Sequence, residues 1–362
     1  MIVKNEHHVL RRCLQSVRPL IDTWLIVDTG STDGTQELAR DFFRDLPGEL
    51  IERPWKNFGH NRTESVALSR NRADYLLIMD ADEFLIAEPE FQFPGLTCDA
   101  YDVALDLNGI TYYRNQLVRS DLPWRYVGVL HEYITCEVPH TQCRLTGAKV
   151  HIVLEGARSS DPLKYRRDAL VLEEALLEEP SNDRYMFYLA QSYRDAREYA
   201  LAINRYQRRV EMGGFPEEVW YSRFEIARLK ELQGDPRGEV LDAYLQAYAG
   251  RPHRAEPLYR IGIGYQQRKE FQLARLFFGQ ALQLPYPAQD LLFVETDMYQ
   301  YLLPLEYAVA CYWLGLHSEA IEVTDHLLAN VSLAQDRREH LLRNRAFSIE
   351  AIASCRRETS SS

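Results

Sequence analysis

Two short stretches concentrate the residues able to do chemistry. "LLIMDADE" closes an apolar run with Asp80, Asp82 and Glu83, and "LIVDTGSTDGT" closes another with Asp28, followed by a Gly/Ser/Thr turn that holds Asp33. Alternating positions can point two carboxylates the same way. A hard divalent cation takes oxygen ligands, and an ion held by Asp80 and Asp82 would in turn bind a diphosphate. Without such an ion, grouped acids repel one another. "DTGSTDGT" also reads as a capped turn, since Asp, Ser, Thr and Gly all favour turns and helix starts. Both readings stay open at this point.

Ligands of open α/β sheets bind beyond the carboxyl ends of the strands, so strands must lie beneath these acids. "TWLIVD" and "YLLIM" are short buried-strand runs, and "ELIERPW" is a third candidate. Between them Val9, Leu10, Cys13, Leu14 and Val17 fall at helical spacing behind a possible cap at Asn5. Leu38, Ala39, Phe42, Phe43 and Leu46 mark a second helix, and "NRTESVALSRN" a third. Strand–helix alternation predicts a parallel sheet covered on both faces. After Glu83, "AYDVALDLNGITYYRNQLV" alternates around Asn108-Gly109, a hairpin signal, and "RLTGAKVHIVLEG" adds a strand.

From about Asp161 the pattern is helical and repeats. Small residues at Ala190, Ala227, Gly262 and Ala308 stand 37, 35 and 46 residues apart, each set followed by aromatic and small positions. This resembles the tetratricopeptide repeat, whose unit is about 34 residues. The last spacing needs an insertion near "LPYPAQDLLFVETDMYQ". Small residues let two helices approach, and each pair needs a neighbour to cover its apolar face. We expect an α/β domain over 1–157, a connecting helix over 158–182, repeats over 183–355 and a disordered tail over 356–362.

The 362 residues carry a net charge of −11. That balance argues against nucleic-acid binding, which needs a basic footprint. No run of about 18 apolar residues is present, so no membrane span is expected. Met1 leads straight into a strand with no visible secretory leader, and a start slightly inside that strand fits the pattern. The six cysteines show no CxxC pair and no regular spacing. Free thiols in a reducing, cytoplasmic setting are the expectation. A homo-oligomer is compatible with the sequence.

"MIVKNE", "VDTGSTDGT" and "DADE", in this order and spacing, resemble a family 2 glycosyltransferase with the GT-A fold, a mixed sheet around a Rossmann-like core. The resemblance covers roughly residues 1 to 155. With the helical second half, the overall order is similar to that of bacteriocin S-glycosyltransferases. The resemblance implies a nucleotide-sugar donor, a UDP-sugar above all, and Mn²⁺ or Mg²⁺. It places Glu6 and Asp28 beside the base, with Asp28 accepting from the uracil imide, and Asp33 nearby in the turn. Asp80 falls near the ribose and the metal, and Asp82 contacts the metal. Arg62, Arg125 and Arg158 are assigned to the nucleotide sugar. Arg62 reads equally well as a solvated helix residue. Thr29 departs from the commoner "VDDGS" and weakens one polar contact.

"WRYVGVLHEYI" resembles the acceptor-side segment of such enzymes. It makes Glu132 the expected base and His131 the alternative, for an inverting, in-line transfer. A structural pair, with His131 packing and Glu132 capping, is the competing reading. His151 is a candidate third metal ligand, though a lone strand histidine is more often structural. Lys164, Arg166 and Arg167 gather with Arg158 near the junction, where cations offset diphosphate charge, or form a solvated face. The acceptor is expected to be a peptide or protein held by the repeats. A cell-surface glycan or lipid-linked saccharide, or an inactive scaffold, are the alternatives.

Overall fold

A computed structural model describes residues 1–153, 155, 163–330 and 333–359, with side chains to 355. Its chain divides into two compact units, Met1–Arg205 and Tyr206–Ser362.

In the first unit, β1 (Ile2–Val3), β2 (Trp24–Asp28) and β3 (Gly48–Glu52) form a parallel sheet, ordered β1-β2-β3. Helix α1 (His7–Val17) buries the predicted stripe of Val9, Leu10, Cys13, Leu14 and Val17. Helix α2 (Thr35–Phe42) adds Leu38 and Ala39 to the same core, and α3 (Phe58–Ser69) follows β3. Asn5 does not cap α1. Glu6 is the N-cap residue, while Asn5 sits at φ 57° and reaches across to the turn after β2.

The expected third parallel strand goes elsewhere. β4 (Tyr75–Leu77) pairs antiparallel with β7 (Ile110–Arg119) in a second, mixed sheet. Its order is β4-β7-β6-β10-β5, with β5 (Glu83–Ala87), β6 (Ala100–Leu107) and β10 (Gln142–Ile152). The β6–β7 hairpin turns at Asn108-Gly109, both at positive φ as that turn requires. β8 (Arg125–Val127) and β9 (Tyr133–Thr135) form a small ribbon. Between β1 and β4 lies a cavity of about 330 Å³, walled mainly by apolar side chains. None of the predicted site carboxylates lines it.

Helices α4 (Lys164–Glu178) and α5 (Asp183–Asp195) also belong to the first unit. Ala169, Leu172 and Ala175 of α4 and Tyr185 and Leu189 of α5 share one apolar cluster with Leu130 and Phe58. The compact unit therefore runs well past residue 157. The chain continues through α6 (Tyr199–Met212).

The second unit stacks α7 (Pro216–Gln233), α8 (Arg237–Gly250), α9 (Glu256–Gln267), α10 (Phe271–Leu282), α11 (Leu303–Trp313) and α12 (His317–Asn330), then α13 (Gln335–Thr359). Consecutive helices pack on one another, as the repeat pattern predicts. Ala227 and Ala308 are buried, and a methyl group at Gly262 would stand 2.4 Å from the Phe278 ring. The insertion before α11 folds back onto the first helices of two pairs. Glu217 of α7 accepts from the N–H groups of Leu291 and Leu292 at 2.8 and 2.7 Å. Fully buried Arg254 pairs with Glu256 and with Asp290 of the insertion, and lies 3.9 Å from the Trp220 ring centroid. Phe293 packs on Tyr221.

One cysteine expectation fails. Cys98 and Cys143 form a disulfide, with Cα atoms 6.0 Å apart. They are 45 residues apart in sequence, so no short-range spacing announced them; the β6–β10 pairing brings them together. Cys13, Cys136, Cys311 and Cys355 are free. The bond removes the cysteine argument for a reducing compartment, and with it one ground for a cytoplasmic setting. Among the described residues no helix is long and apolar enough to cross a membrane.

Two outcomes follow. Thiol titration of the unfolded, unreduced protein should find the four free cysteines, and all six after reduction; six before reduction would refute the bond. Gly262→Ala should destabilise by about 1–3 kcal/mol through overpacking against Phe278. Gly264→Ala, two residues on and with only the Arg268 side chain near, should be neutral or gain up to about 1 kcal/mol. Urea unfolding of both variants measures the contrast.

Candidate functional site

The end of β2 is stitched to the segment after β1. The Asn5 N–H donates to Ser31 Oγ at 2.9 Å, and Asn5 Oδ1 accepts from Thr32 N–H at 2.8 Å. The Glu6 N–H donates to Thr35 Oγ1 at 2.9 Å. Asp33 accepts from the His7 N–H at 3.1 Å and from the N–H and hydroxyl of Thr35. Both Asp33 oxygens are thus engaged in joining the starts of α1 and α2, the capped-turn role. Thr29 turns inward and donates its hydroxyl to Val3 O at 3.0 Å.

Asp28 is buried at the strand end. Its Oδ2 accepts from Gly30 N–H at 2.9 Å, Ser31 N–H at 3.0 Å and Gln36 Nε2 at 2.8 Å. Burial alone would raise its pKa, but the hydrogen bonds from Ser31, Gly30 and Gln36 outweigh it and hold the carboxyl below its ordinary range. Oδ1 is buried with no hydrogen-bond partner. An unmatched buried acceptor costs about 1–3 kcal/mol, and a ligand N–H would satisfy it.

The three acids after β4 have three different environments. Glu83 is a buried strut: Oε2 accepts from Asp80 N–H at 2.9 Å and Gln116 Nε2 at 3.0 Å, and Oε1 accepts from Arg114 Nη2 at 2.5 Å. Burial pushes its pKa up, Arg114 pulls it back and Asp80 adds to the rise. Asp80 receives Arg62 Nη2 at 2.7 and 2.9 Å on its two oxygens, with Arg114 Nη1 at 3.8 Å. Burial opposes its ionisation, but Arg62 and Arg114 hold it well below the usual range. Asp82 has the reverse balance. Burial and the charge of Asp80 raise its pKa, only partly offset by Lys164 and Arg114. Among the described residues no cationic nitrogen lies within 4 Å of its carboxylate.

Arg62, on α3, is no solvated helix residue: its side chain is 15% exposed. Its Nε stands 2.5 Å from Glu132 Oε1, an ion-pair contact set off the axis of an aligned hydrogen bond. The guanidinium also lies 5.6 Å from the Tyr126 ring centroid. Glu132 follows His131, whose ring stacks on Tyr188 at 4.1 Å and 6°. Arg184 of α5 donates to His131 O at 2.9 Å and covers the Tyr133 and Tyr188 rings. His131 is at φ 51° and Gly128 at φ 119°. The loop approaches α3 so closely that a methyl at Gly59 would stand 2.9 Å from Gly128 O. Histidine packing, the competing reading, describes His131; Glu132 lines a cavity of about 220 Å³ with Arg62, Arg114, Asn115, Tyr126 and Lys164.

Other expected residues are not brought to this cavity. Arg125 pairs with Glu137 at 2.9 Å and is 48% exposed; strand alternation sends its neighbour Tyr126 inward and Arg125 outward. His151 packs on Phe84, its cross-strand neighbour, with Nδ1 3.8 Å from Asp106. Arg166 pairs with Glu198 on the exposed face of α4, and Arg167 is exposed. Arg158 lies outside the described residues. Arg114 and Gln116 were missed; their one signal is alternation along "YYRNQLV", which puts both on one face of β7.

Among the described residues no group of three or more His, Cys, Asp or Glu side chains forms a metal cage. A cation bound through one or two carboxylates, water and substrate phosphates needs no such cage. Asp82, with Asp80 beside it, fits that mode: its carboxylate is partly buried and its negative charge is incompletely balanced.

Asp28 closes parallel strand β2, the position at which open α/β sheets bind their ligands. Residues 1–88 match the family model "Glycosyl transferase family 2". Residues 1–88 thus carry a glycosyltransferase family 2 domain, and a helical region whose spacing resembles tetratricopeptide repeats follows it. A TPR repeat-containing protein of Synechococcus elongatus is 36% identical over 89 residues, 24% of this chain and 21% of that protein. An uncharacterized glycosyltransferase of Rickettsia felis is 30% identical over 119 residues, 32% of this chain and 40% of that one. The glycosyltransferase SunS of Bacillus subtilis is 23% identical over 203 residues, 52% and 47% of the two chains. This chain spans less than half the length of each of these relatives.

The charge arrangement has a pH signature. The depressed pKa of Asp80 contributes stability that is present above its ordinary value near 3.8 and is lost as pH falls through the lower folded value. Glu83 acts with the opposite sign, so the comparison must be differential. Asp80→Asn should lower the urea midpoint at pH 7 and flatten the loss between pH 4 and about 2. An unchanged acid slope in the variant would contradict the Arg62–Asp80 pairing.

Proposed function

We propose that this protein transfers a sugar from a UDP-sugar to an acceptor, with inversion. The observation that carries this reading is Arg62: one buried guanidinium joins Asp80 of the donor-side motif to Glu132 of the acceptor-side motif. Asp28 Oδ1, buried and unmatched, accepts the imide N–H of the base. Asp82 and Asp80 hold a divalent cation, Mn²⁺ or Mg²⁺, which supplies charge neutralisation for the departing diphosphate. Arg62 and Arg114 keep Asp80 ionised and fixed. Glu132 takes the acceptor proton as the acceptor atom bonds to the anomeric carbon. The pair of the breaking C–O bond goes to the diphosphate oxygen. His131, stacked on Tyr188, orients this loop.

The helical repeats support a peptide or protein acceptor, since stacked helix pairs offer extended surfaces. A second reading, a glycan or lipid-linked saccharide, is favoured by one observation. The insertion at 290–295 already covers part of the face of α7 and α9. An inactive scaffold is disfavoured by the intact acids and cavity.

The test is UDP-sugar hydrolysis and transfer with and without Mn²⁺ or Mg²⁺, using peptide and oligosaccharide acceptors. Wild type should turn over only with the ion. Asp82→Ala and Glu132→Gln should each lose at least 100-fold in kcat, on the scale of a lost general base. Asp28→Asn should weaken UDP binding, read as a smaller thermal shift. Metal-independent, unchanged turnover in Asp82→Ala would reject the mechanism.

A further inference from the structure

Among the described residues, the cations Arg62, Arg114 and Lys164 line the cavity beside Glu132. Two of them are committed. Arg62 holds Asp80 and Glu132, and Arg114 holds Glu83 at 2.5 Å with Asp80 at 3.8 Å. Lys164, the first residue of α4, has a different setting. Among the described residues no carboxylate lies within 4 Å of its ammonium. Its Nζ stands 5.2 Å from the Tyr165 ring centroid, a contact that leaves the charge unbalanced. The neighbouring basic residues do not share this place: Arg166 turns out to Glu198 and Arg167 is exposed. The helix itself is fixed, since Ala169 and Leu172 pack in the cluster that contains Leu130, two residues before Glu132. A rigid helix thus brings a compact positive charge on a flexible stem to the cavity.

Lys164 also acts on the acid assigned to the metal ion. Burial and the charge of Asp80 raise the Asp82 pKa, and Lys164 comes before Arg114 among the cations that oppose the rise. Yet Lys164 and Asp82 form no ion pair. They are near enough to interact and too far apart to join. A divalent ion on Asp82, carrying a phosphate group, would bridge that interval and present a phosphate oxygen to the ammonium. The demand for such a cation rises during the reaction. A diphosphate gains negative charge as its bond to the anomeric carbon breaks and the electron pair moves to the diphosphate oxygen. A cation at that oxygen holds the departing group more strongly than the intact donor, and this difference is what lowers the barrier.

We propose that Lys164 is a catalytic residue that donates a hydrogen bond to the departing diphosphate. This inference rests on the glycosyltransferase reading above. It makes the helix after the α/β domain a part of the active site as well as its support.

The experiment uses the full chain and calorimetric titration with UDP and with UMP, each in the presence of Mg²⁺. UMP lacks the phosphate whose oxygen takes the electron pair. Lys164→Gln should weaken UDP about tenfold, the scale of one hydrogen bond to a charged group. It should leave UMP within twofold, which also reports that the variant is folded. Lys164→Arg should recover most of the UDP affinity. Arg166→Gln, which removes a charge aimed at Glu198, should leave both ligands within twofold. Should Lys164→Gln not fold, Lys164→Met carries the same comparison. Equal losses for UDP and UMP, an unchanged UDP affinity, or the same loss in Arg166→Gln overturns the role of Lys164 and leaves the enzyme reading intact. A wild type that binds neither UDP nor UMP overturns both.

Discussion

A single buried cation governs this site. Arg62 sits between Asp80 and Glu132, two acids more than fifty residues apart in the chain, and each relies on it. Removing one member of a buried ionic group strands the others, at a cost of about 3–5 kcal/mol. The guanidinium therefore couples the geometry of the segment after β4 to that of the Gly128–Glu132 loop. Its own position depends on α3, whose first turn lies against the backbone of the Gly128 loop with room for no side chain at Gly59. A local requirement for glycine thus becomes a requirement on the spacing of these two acids.

The helices after the α/β domain are not an appendage to it. α4 and α5 share an apolar cluster with Leu130, and Arg184 and Tyr188 of α5 grip the His131 backbone and ring. The Gly128–Glu132 loop, which has few backbone ladder bonds of its own, is held by these helices. Burial of apolar area at about 25 cal/mol per Å² makes such a cluster a stronger clamp than the exposed ion pairs around it. A chain cut at residue 157 would keep every motif and lose the surface that orients Glu132.

Much of this was legible because it is local. The strand under Asp28, the stripe of α1, the Asn108-Gly109 turn and the small residues of the repeats each depend on a few neighbours in sequence. What failed depends on distant pairing. β4 left the parallel layer for β7, and Cys98 met Cys143 through adjacent strands. Arg114 could not be tied to Glu83 before the sheet order was known. Arg125 and Tyr126 show the limit within a motif: the segment was recognisable, but alternation decides which of two adjacent residues faces the cavity. His131 and Glu132 are the same lesson in a loop, where positive φ at His131 turns its ring toward Tyr188.

The three acids of "DADE" then separate by electrostatic environment rather than by type. Glu83 is spent on structure, since both oxygens hold neighbouring groups and its burial leaves no room for a ligand. Asp80 is compensated by two arginines, so its charge is already largely balanced. Asp82 alone combines partial burial with a repulsive neighbour and a rising proton affinity. An anion in that state gains most from a cation supplied from outside the chain, because the arginines nearby are committed to its neighbours. The asymmetry suits the proposed exchangeable ion: Asp82 keeps an incompletely balanced charge for it, while Asp80 and Glu83 are already held by arginines.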